Sequence, residues 1–339
     1  MKRLLIVGAG GFIGGFIARE GLNRGYEVWA TVRSTTSLRY LDDERIHIVT
    51  LDYDDPDQMA VTLDKEMPGD TGWEYIIYNL GATKALDFPE FNRVNFQYLR
   101  SVGEVLKSIG CTPQIFLFMS SLSVLGPGDE ISYSPLDANM IPQPNTRYGV
   151  SKLKAEQWLE FQSGLPWVIF RPTGVYGPHD KDYKMMIQAI DSHVDFGVGY
   201  RKQLLTFIYV EDLVSAMYDC LAADPEKVSR KKYIISEKRA YTQKEFRDIV
   251  AAELNRKVVL PVVLPLWATY GASYVAEKIG RLRLKPSTLN RDKYNIMKQR
   301  NWNADTTDAE RDFGFNPRHS LRDGIAKTVA AYLAEKNNK

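Results

Sequence analysis

The chain has 339 residues, 44% of them hydrophobic and 25% charged, an ordinary globular composition that can bury one large core or two moderate ones. Its 44 basic and 42 acidic residues leave a formal charge of +2, too weak a field to suggest a nucleic-acid partner. Cys111 and Cys220 stand far apart, so neither a disulfide framework nor a zinc site is indicated, and a reducing cytoplasm is expected.

The first residues, Lys2-Arg3 followed by an apolar run, have the outline of a secretory leader. Glycines punctuate that run, however, and it passes into Arg19-Glu20, so strand, turn and helix explain it better. Leu4 to Val7 is predicted as a strand and Phe12 to Leu22 as a helix that Gly25-Tyr26 stops, with a second strand at Glu27 to Val32 completing a βαβ unit. Further buried strands are predicted at Ile46 to Leu51, Tyr75 to Leu80, Gln114 to Met119 and Trp167 to Phe170, with helical stretches such as Val94 to Ile109 between them. Continuous apolar strands alternating with helices imply an α/β fold, a doubly wound parallel sheet of Rossmann type whose ligands lie beyond the carboxyl ends of the strands. A strand running into a helix is predicted over Thr206 to Leu221, a strand at Lys232 to Ile235, and helices at Gln243 to Leu254 and near Leu321 to Glu335. The expected division is a dinucleotide-binding domain of residues 1–178 plus about 206–236, interleaved with a smaller substrate-binding domain of about 179–205 plus 237–339.

Gly8, Gly11 and Gly14 occupy the first strand-to-helix turn, where absent side chains let backbone approach a pyrophosphate held by the helix N-terminus. Phe12 and Ile13 open that helix and complete the cradle. The second strand ends Ala30-Thr31-Val32-Arg33-Ser34, without the acidic residue that would bind a ribose 2′-hydroxyl. Arg33 can instead pair with a 2′-phosphate, and Ser34, Thr35 or Thr36 can donate to it, so NADP(H) is favoured over NAD(H). Asp52, after the third strand, is placed either to accept from an adenine amino group or to form a turn.

Tyr148 and Lys152, four residues apart, share one face of a helix. The same spacing recurs at Tyr274/Lys278, Tyr294/Lys298 and Tyr332/Lys336. Position separates the first pair, because a strand ends at Met119-Ser120-Ser121, a loop follows, and Tyr148 opens the next helix. A free phenol near pKa ~10 is a poor base at neutral pH, and a nearby ammonium or an oxidised nicotinamide would favour its ionised form.

With these elements the chain resembles the extended short-chain dehydrogenases/reductases. Further matches are Asn79-Leu80-Gly81-Ala82, Val94-Asn95-Phe96, Arg171-Pro172-Thr173-Gly174-Val175-Tyr176-Gly177-Pro178 and Thr206-Phe207-Ile208-Tyr209-Val210-Glu211-Asp212-Leu213. The resemblance implies that Tyr148 transfers the proton, Lys152 binds the nicotinamide ribose and Ser121 orients the substrate oxygen, with Leu80, Gly81, Ala82, Pro172 and Val175 beside the cofactor. It also implies a homodimer formed by helices near Val94 to Ile109 and Ser151 to Phe161. Nucleotide-sugar epimerases of the family commonly carry an asparagine where this chain has Gly174, and its 4,6-dehydratases carry Asp-Glu where this chain has Leu122-Ser123. The sequence therefore looks closer to the dihydroflavonol reductase and 3β-hydroxysteroid dehydrogenase branch, which implies interconversion of a ketone or aldehyde and a secondary alcohol on a small, apolar substrate. The alternatives are a nucleotide-sugar epimerase with tightly held cofactor and a non-catalytic NADP(H)-binding sensor.

The segment Val258 to Ala276 carries no charge and is first read as a buried core helix, with a pocket wall or a peripheral membrane contact as alternatives. Pro261 and Pro265 break its start and Thr269, Gly271 and Ser273 dilute it, against a transmembrane span.

Overall fold

The computed structural model describes residues 1–69 and 71–337. Its strands are β1 (Arg3–Val7), β2 (Glu27–Val32), β3 (Ile46–Thr50), β4 (Tyr75–Tyr78), β5 (Ile115–Met119), β6 (Trp167–Pro172), β7 (Gly174–Tyr176), β8 (Val194–Val198), β9 (Phe207–Tyr209), β10 (Lys231–Ile235) and β11 (Leu260–Leu264). Seven of them form one sheet in the order β10-β6-β5-β4-β1-β2-β3, and every pairing is parallel. This is the doubly wound α/β sheet expected from the sequence.

Strand register follows from burial on both faces. Leu4, Leu5, Ile6 and Val7 have no exposed surface, as near-continuous apolar strands of a parallel sheet require. One face of the sheet packs with Ile17 and Ala18 of helix Phe12–Asn23 and Met217 and Leu221 of helix Val210–Ala222. The other packs against Leu99 and Leu106 of helix Tyr98–Ser108 and Trp158 of helix Arg147–Phe161. The chain runs from β1 to β2 and β3 on one side and returns to β4 on the other. That reversal opens a crevice at the carboxyl ends of β1 and β4, where open α/β sheets bind ligands. Beyond β6, β7 pairs with β9 and β8 with β11 in two small parallel sheets outside the main one.

Strand ends differ from the sequence reading where the chain turns toward the crevice. The fourth strand stops at Tyr78, Asn79 makes a last bond to the Val7 carbonyl, Leu80 and Gly81 lie beyond the strand, and β6 continues through Pro172. The single helix expected over Val94 to Ile109 begins instead with a wide turn at Arg93–Gln97 before the α-helix Tyr98–Ser108. Within that turn the Asn95 side chain bonds Ala82 and Ser151, a use of polar groups typical of such bulges at functional sites.

The reading of Val258 to Ala276 as a buried core helix is overturned. The segment splits into β11, exposed at all five positions, and helix Leu266–Leu282 with Pro265 at its N-cap. That helix buries Thr269, Ser273, Glu277 and Gly280 while exposing much of its apolar surface. On the inward side the Glu277 carboxylate takes Arg147, Arg281 and Arg291, so the buried charge is fully paired, as burial of a carboxylate requires. Among the described residues no helix is long and apolar enough to cross a membrane.

Candidate active site

The glycine-rich turn is built by close approach. Gly8 has φ +84, and a Cβ there would lie 2.7 Å from the Leu80 backbone. At Gly14 a Cβ would meet the Ala9 carbonyl oxygen at 2.3 Å, so this glycine serves helix-to-strand packing, whereas at Gly11 a Cβ would point into open space. Thr31 fixes the turn from below, its hydroxyl accepting from the Gly8 amide at 3.2 Å and lying 2.7 Å from the buried Tyr53 hydroxyl. Helix Phe12–Asn23 starts at Gly11 with no side-chain cap, which leaves its first amides and the positive end of its dipole facing the crevice.

A cavity of about 760 Å³ runs from this turn across the sheet. Of the residues singled out in the sequence, Gly8, Gly11, Phe12, Ile13, Arg33, Leu80, Gly81, Ser121, Tyr148, Lys152, Pro172 and Val175 line it. Gly14, Ser34, Asp52 and Ala82 do not. Asp52 is exposed and its carboxylate accepts from the Asp54 amide at 3.0 Å, the turn-forming reading; Ala82 donates its amide to Asn95 at 2.8 Å. Past the second strand Thr36, Arg39 and Tyr40 join Arg33 in the wall. Arg39 escaped the sequence reading, although a second arginine six positions after Arg33 was there to be noticed. Thr173 also lines the cavity, and its buried hydroxyl has no protein partner.

Ser121, Tyr148 and Lys152 converge on this one cavity. Ser121 ends β5 as the cap of a short turn, accepting from the Ser123 amide at 3.2 Å. Ser120 is committed elsewhere, since its hydroxyl donates to the buried Glu156. Tyr148 stands in the first turn of helix Arg147–Phe161, capped by Thr146, and its amide donates to Asp292 at 3.2 Å. One turn on, Lys152 is buried, donates to the Met119 carbonyl at 2.8 Å and lies 4.8 Å over the Phe118 ring. Asn95 ties the site together, donating to the Ser151 hydroxyl at 2.9 Å while Ser151 donates to the Tyr148 carbonyl at 2.7 Å.

Burial dominates the electrostatics. It pushes the Tyr148 phenol up to about 12, with the Ser121 hydroxyl pulling it part of the way back. It also lowers the Lys152 ammonium to about 7, against the opposing pull of the Glu156 carboxylate. Burial thus drives both groups toward their neutral forms. The other three Tyr-x-x-x-Lys pairs lie outside the cavity, with lysines resting over rings at 5.6, 5.3 and 5.9 Å for Tyr274, Tyr294 and Tyr332.

The far end of the cavity is polar. Lys84 bonds Asp182 at 2.6 Å, Lys293 approaches the same carboxylate at 3.7 Å, and Tyr183 and Ile296 stand beside them. No residue of 258–276 is among the lining, so that apolar segment does not wall this cavity.

A family model described as the NAD dependent epimerase/dehydratase family matches residues 4–236. The chain belongs to that family. The resemblance to extended short-chain dehydrogenases/reductases read from the motifs is borne out. UDP-glucose 4-epimerase of Vibrio cholerae is 24% identical over 227 residues, 66% of this chain and 64% of that protein. The 3 beta-hydroxysteroid dehydrogenase/Delta 5-->4-isomerase of Mycobacterium tuberculosis (strain ATCC 25618 / H37Rv) is 26% identical over 223 residues, 63% of this chain and 58% of that protein. The matched region thus spans less than two thirds of the length of either relative. In fold the chain is similar to UDP-glucose 4-epimerase of Thermotoga maritima, with a TM-score of 0.75 at 18% identity over 99% of both chains. It is similar also to UDP-glucuronic acid 4-epimerase of Bacillus cereus in complex with NAD, with a TM-score of 0.74 at 17% identity over 98% and 99%. Members of the family bind NAD(P).

Proposed function

We propose that this family member is an NADP(H)-dependent oxidoreductase that interconverts a ketone or aldehyde and a secondary alcohol. The observation that carries the reading is the convergence of Ser121, Tyr148 and Lys152 in one cavity with the glycine turn and Arg33. The site fits a dinucleotide on its own geometry: the open space at Gly11, the uncapped helix start and the unpartnered Thr173 hydroxyl all present room or donors. Gly8, Gly11, Phe12 and Ile13 would hold the pyrophosphate, and Leu80, Gly81, Pro172 and Val175 the nicotinamide half. Arg33, joined by Arg39 and Thr36, would take the 2′-phosphate, where a guanidinium pairs bidentately with phosphate oxygens.

When bound, the nicotinamide supplies or accepts the hydride. Ser121 donates to the substrate oxygen and orients it. Tyr148 gives its phenolic proton to that oxygen in reduction and takes it back in oxidation. Lys152, fixed by the Met119 carbonyl, has further donors to hold the nicotinamide ribose. A phenol held up at about 12 stays protonated at neutral pH and gives its proton up reluctantly, so proton transfer in either direction needs a positive charge beside Tyr148 to bring it toward the working pH.

The polar far wall bears on the substrate. Lys84, Asp182 and Lys293 suit a molecule that carries hydroxyl or anionic groups, better than the small, apolar substrate expected from sequence. The same wall supports the second reading, a nucleotide-sugar epimerase. Against it, a side chain at position 174 would have its Cβ 2.0 Å from the Tyr183 hydroxyl, so the phenol fills the space an asparagine would use. Dimerisation through helices Tyr98–Ser108 and Arg147–Phe161 and a cytoplasmic location belong to the same reading.

Titration of the purified protein with NADPH and NADH tests the cofactor choice. NADPH should bind more tightly, and Arg33→Ala should weaken NADPH roughly tenfold or more, the worth of about 1.5–3 kcal/mol for a charge-assisted contact, with NADH nearly unchanged. Equal affinities in the wild type would overturn the NADP(H) assignment. Epimerisation of a nucleotide sugar without net change in cofactor would replace the reductase reading.

A further inference from the structure

Helix Leu266–Leu282 packs with its polar stripe inward. Thr269, Ser273, Glu277 and Gly280 are buried, a spacing that forms one helical face. Trp267, Tyr270, Tyr274, Val275, Ile279 and Leu282 are exposed, Trp267 at 79% and Leu282 at 86%. A surface helix of a water-soluble protein ordinarily does the reverse. The inward polar groups are satisfied: Thr269 and Ser273 donate to carbonyls one turn back, and Glu277 is held by three arginines. The arrangement is therefore fixed. The five exposed side chains of β11 extend the apolar surface, and Phe196 on the paired strand β8 is 60% exposed. Contiguous apolar surface of this kind marks an interaction site.

Charge identifies the occupant. Between positions 257 and 285 the charged residues are Lys257, Lys278, Arg281, Arg283, Lys285 and a single acid, Glu277, and the acid is buried. Arg281 is bound to Glu277, and the other four cations are exposed. We propose that this face docks the protein in the plane of an anionic lipid bilayer, with Trp267, Tyr270 and Tyr274 at headgroup level and the basic residues on acidic headgroups. An apolar helix face with aromatic residues and a lysine and arginine rim has the composition of an interfacial helix, and each basic residue near such a surface is attracted to it. A second copy of this chain fits less well, because an isologous contact would set the basic rim against itself. The contact is peripheral, since among the described residues no helix is long and apolar enough to cross.

The docking face also lies close to the cavity. Glu277 bonds Arg147, the residue before Tyr148, at 3.2 Å, and the helix packs on Arg291–Lys298, whose Lys293 and Ile296 line the far wall. The docking helix therefore packs on an element that lines the cavity. The docking itself does not depend on the reaction proposed above.

Flotation with vesicles of phosphatidylcholine and phosphatidylglycerol, compared with phosphatidylcholine alone, tests it. The wild type should bind the anionic vesicles more strongly and release with added salt. Trp267→Ser/Leu282→Ser should bind at least about tenfold more weakly, and Arg283→Gln/Lys285→Gln about fivefold more weakly per charge removed. These side chains are exposed, so both variants should keep the wild-type Tm, which verifies folding. Absence of wild-type binding to anionic vesicles, equal binding to both vesicle types, or variants that bind like the wild type would each overturn the proposal. So would a wild-type dimer that Trp267→Ser/Leu282→Ser turns into a monomer with vesicle binding unchanged, since a second copy would then cover the face.

Discussion

Glu156 and Arg171 form a buried ion pair directly behind the site, and removing one partner has a calculable cost. Arg171 is completely buried on β6, its guanidinium 2.6 Å from a Glu156 carboxylate oxygen, with a further bond to the Ala138 carbonyl at 2.8 Å. Glu156 also accepts from Ser120 and stands one helical turn beyond Lys152. Glu156→Gln leaves a cation in the core facing a neutral amide. Breaking one side of such a pair costs about 3–5 kcal/mol, a large part of a net stability of ~5–15 kcal/mol. Replacing both residues, Glu156→Met with Arg171→Met, removes the charge together with its partner and should return to within about 2 kcal/mol of the wild type. Urea unfolding followed by tryptophan fluorescence measures both, provided the slopes agree. A loss below about 1 kcal/mol in Glu156→Gln, or a double variant as unstable as the single one, would refute the reasoning. The carboxylate also opposes the fall in the Lys152 pKa, so Glu156→Gln should move the Lys152 titration below about 7, read from the pH dependence of its reductive methylation.

Other substitutions probe separate parts of the molecule. Gly174→Asn forces the Tyr183 ring aside and should cost about 1–3 kcal/mol, and adding Tyr183→Phe should recover most of it, because the next Tyr183 atom is 3.3 Å away; thermal unfolding of both variants checks this. Asp191, bonded to Lys336, Arg256 and Tyr332, has its carboxyl lowered to about 2, chiefly by the Lys336 hydrogen bond. Its folded-state value is below the unfolded ~3.9, so its contribution is complete above that value and is lost as the pH falls through about 2. Asp191→Asn should lower Tm at neutral pH and flatten its acid-side decline across that window.

The sheet was legible in the sequence because its strands are buried on both faces, and a run such as Leu4-Leu5-Ile6-Val7 has few other uses. The glycine turn and the Ser121, Tyr148 and Lys152 set were legible for a different reason: each is a local motif on an element whose end the sequence marks. What failed to show in the sequence depends on partners distant along the chain. Val94-Asn95-Phe96 was legible as a motif match, but what Asn95 does shows only when Ala82 and Ser151 are brought to it. The polar far wall joins Lys84, Asp182 and Lys293, more than two hundred positions from first to last, and no spacing announces it. The segment Val258 to Ala276 misled for the same reason. Its apolar content implied burial, but the helix turns Glu277 inward to its three arginines and leaves much of its apolar side outward.

The central claim is that Tyr148 moves a proton to a substrate oxygen while the chain binds NADPH. The most direct measurement compares the wild type with Tyr148→Phe in NADPH oxidation across a panel of ketones and aldehydes, polar and apolar, alongside NADPH binding to both. The account predicts a fall in rate of about 10²–10⁴, the usual worth of a general acid, with NADPH affinity unchanged. A variant that turns over a carbonyl substrate at the wild-type rate would contradict it.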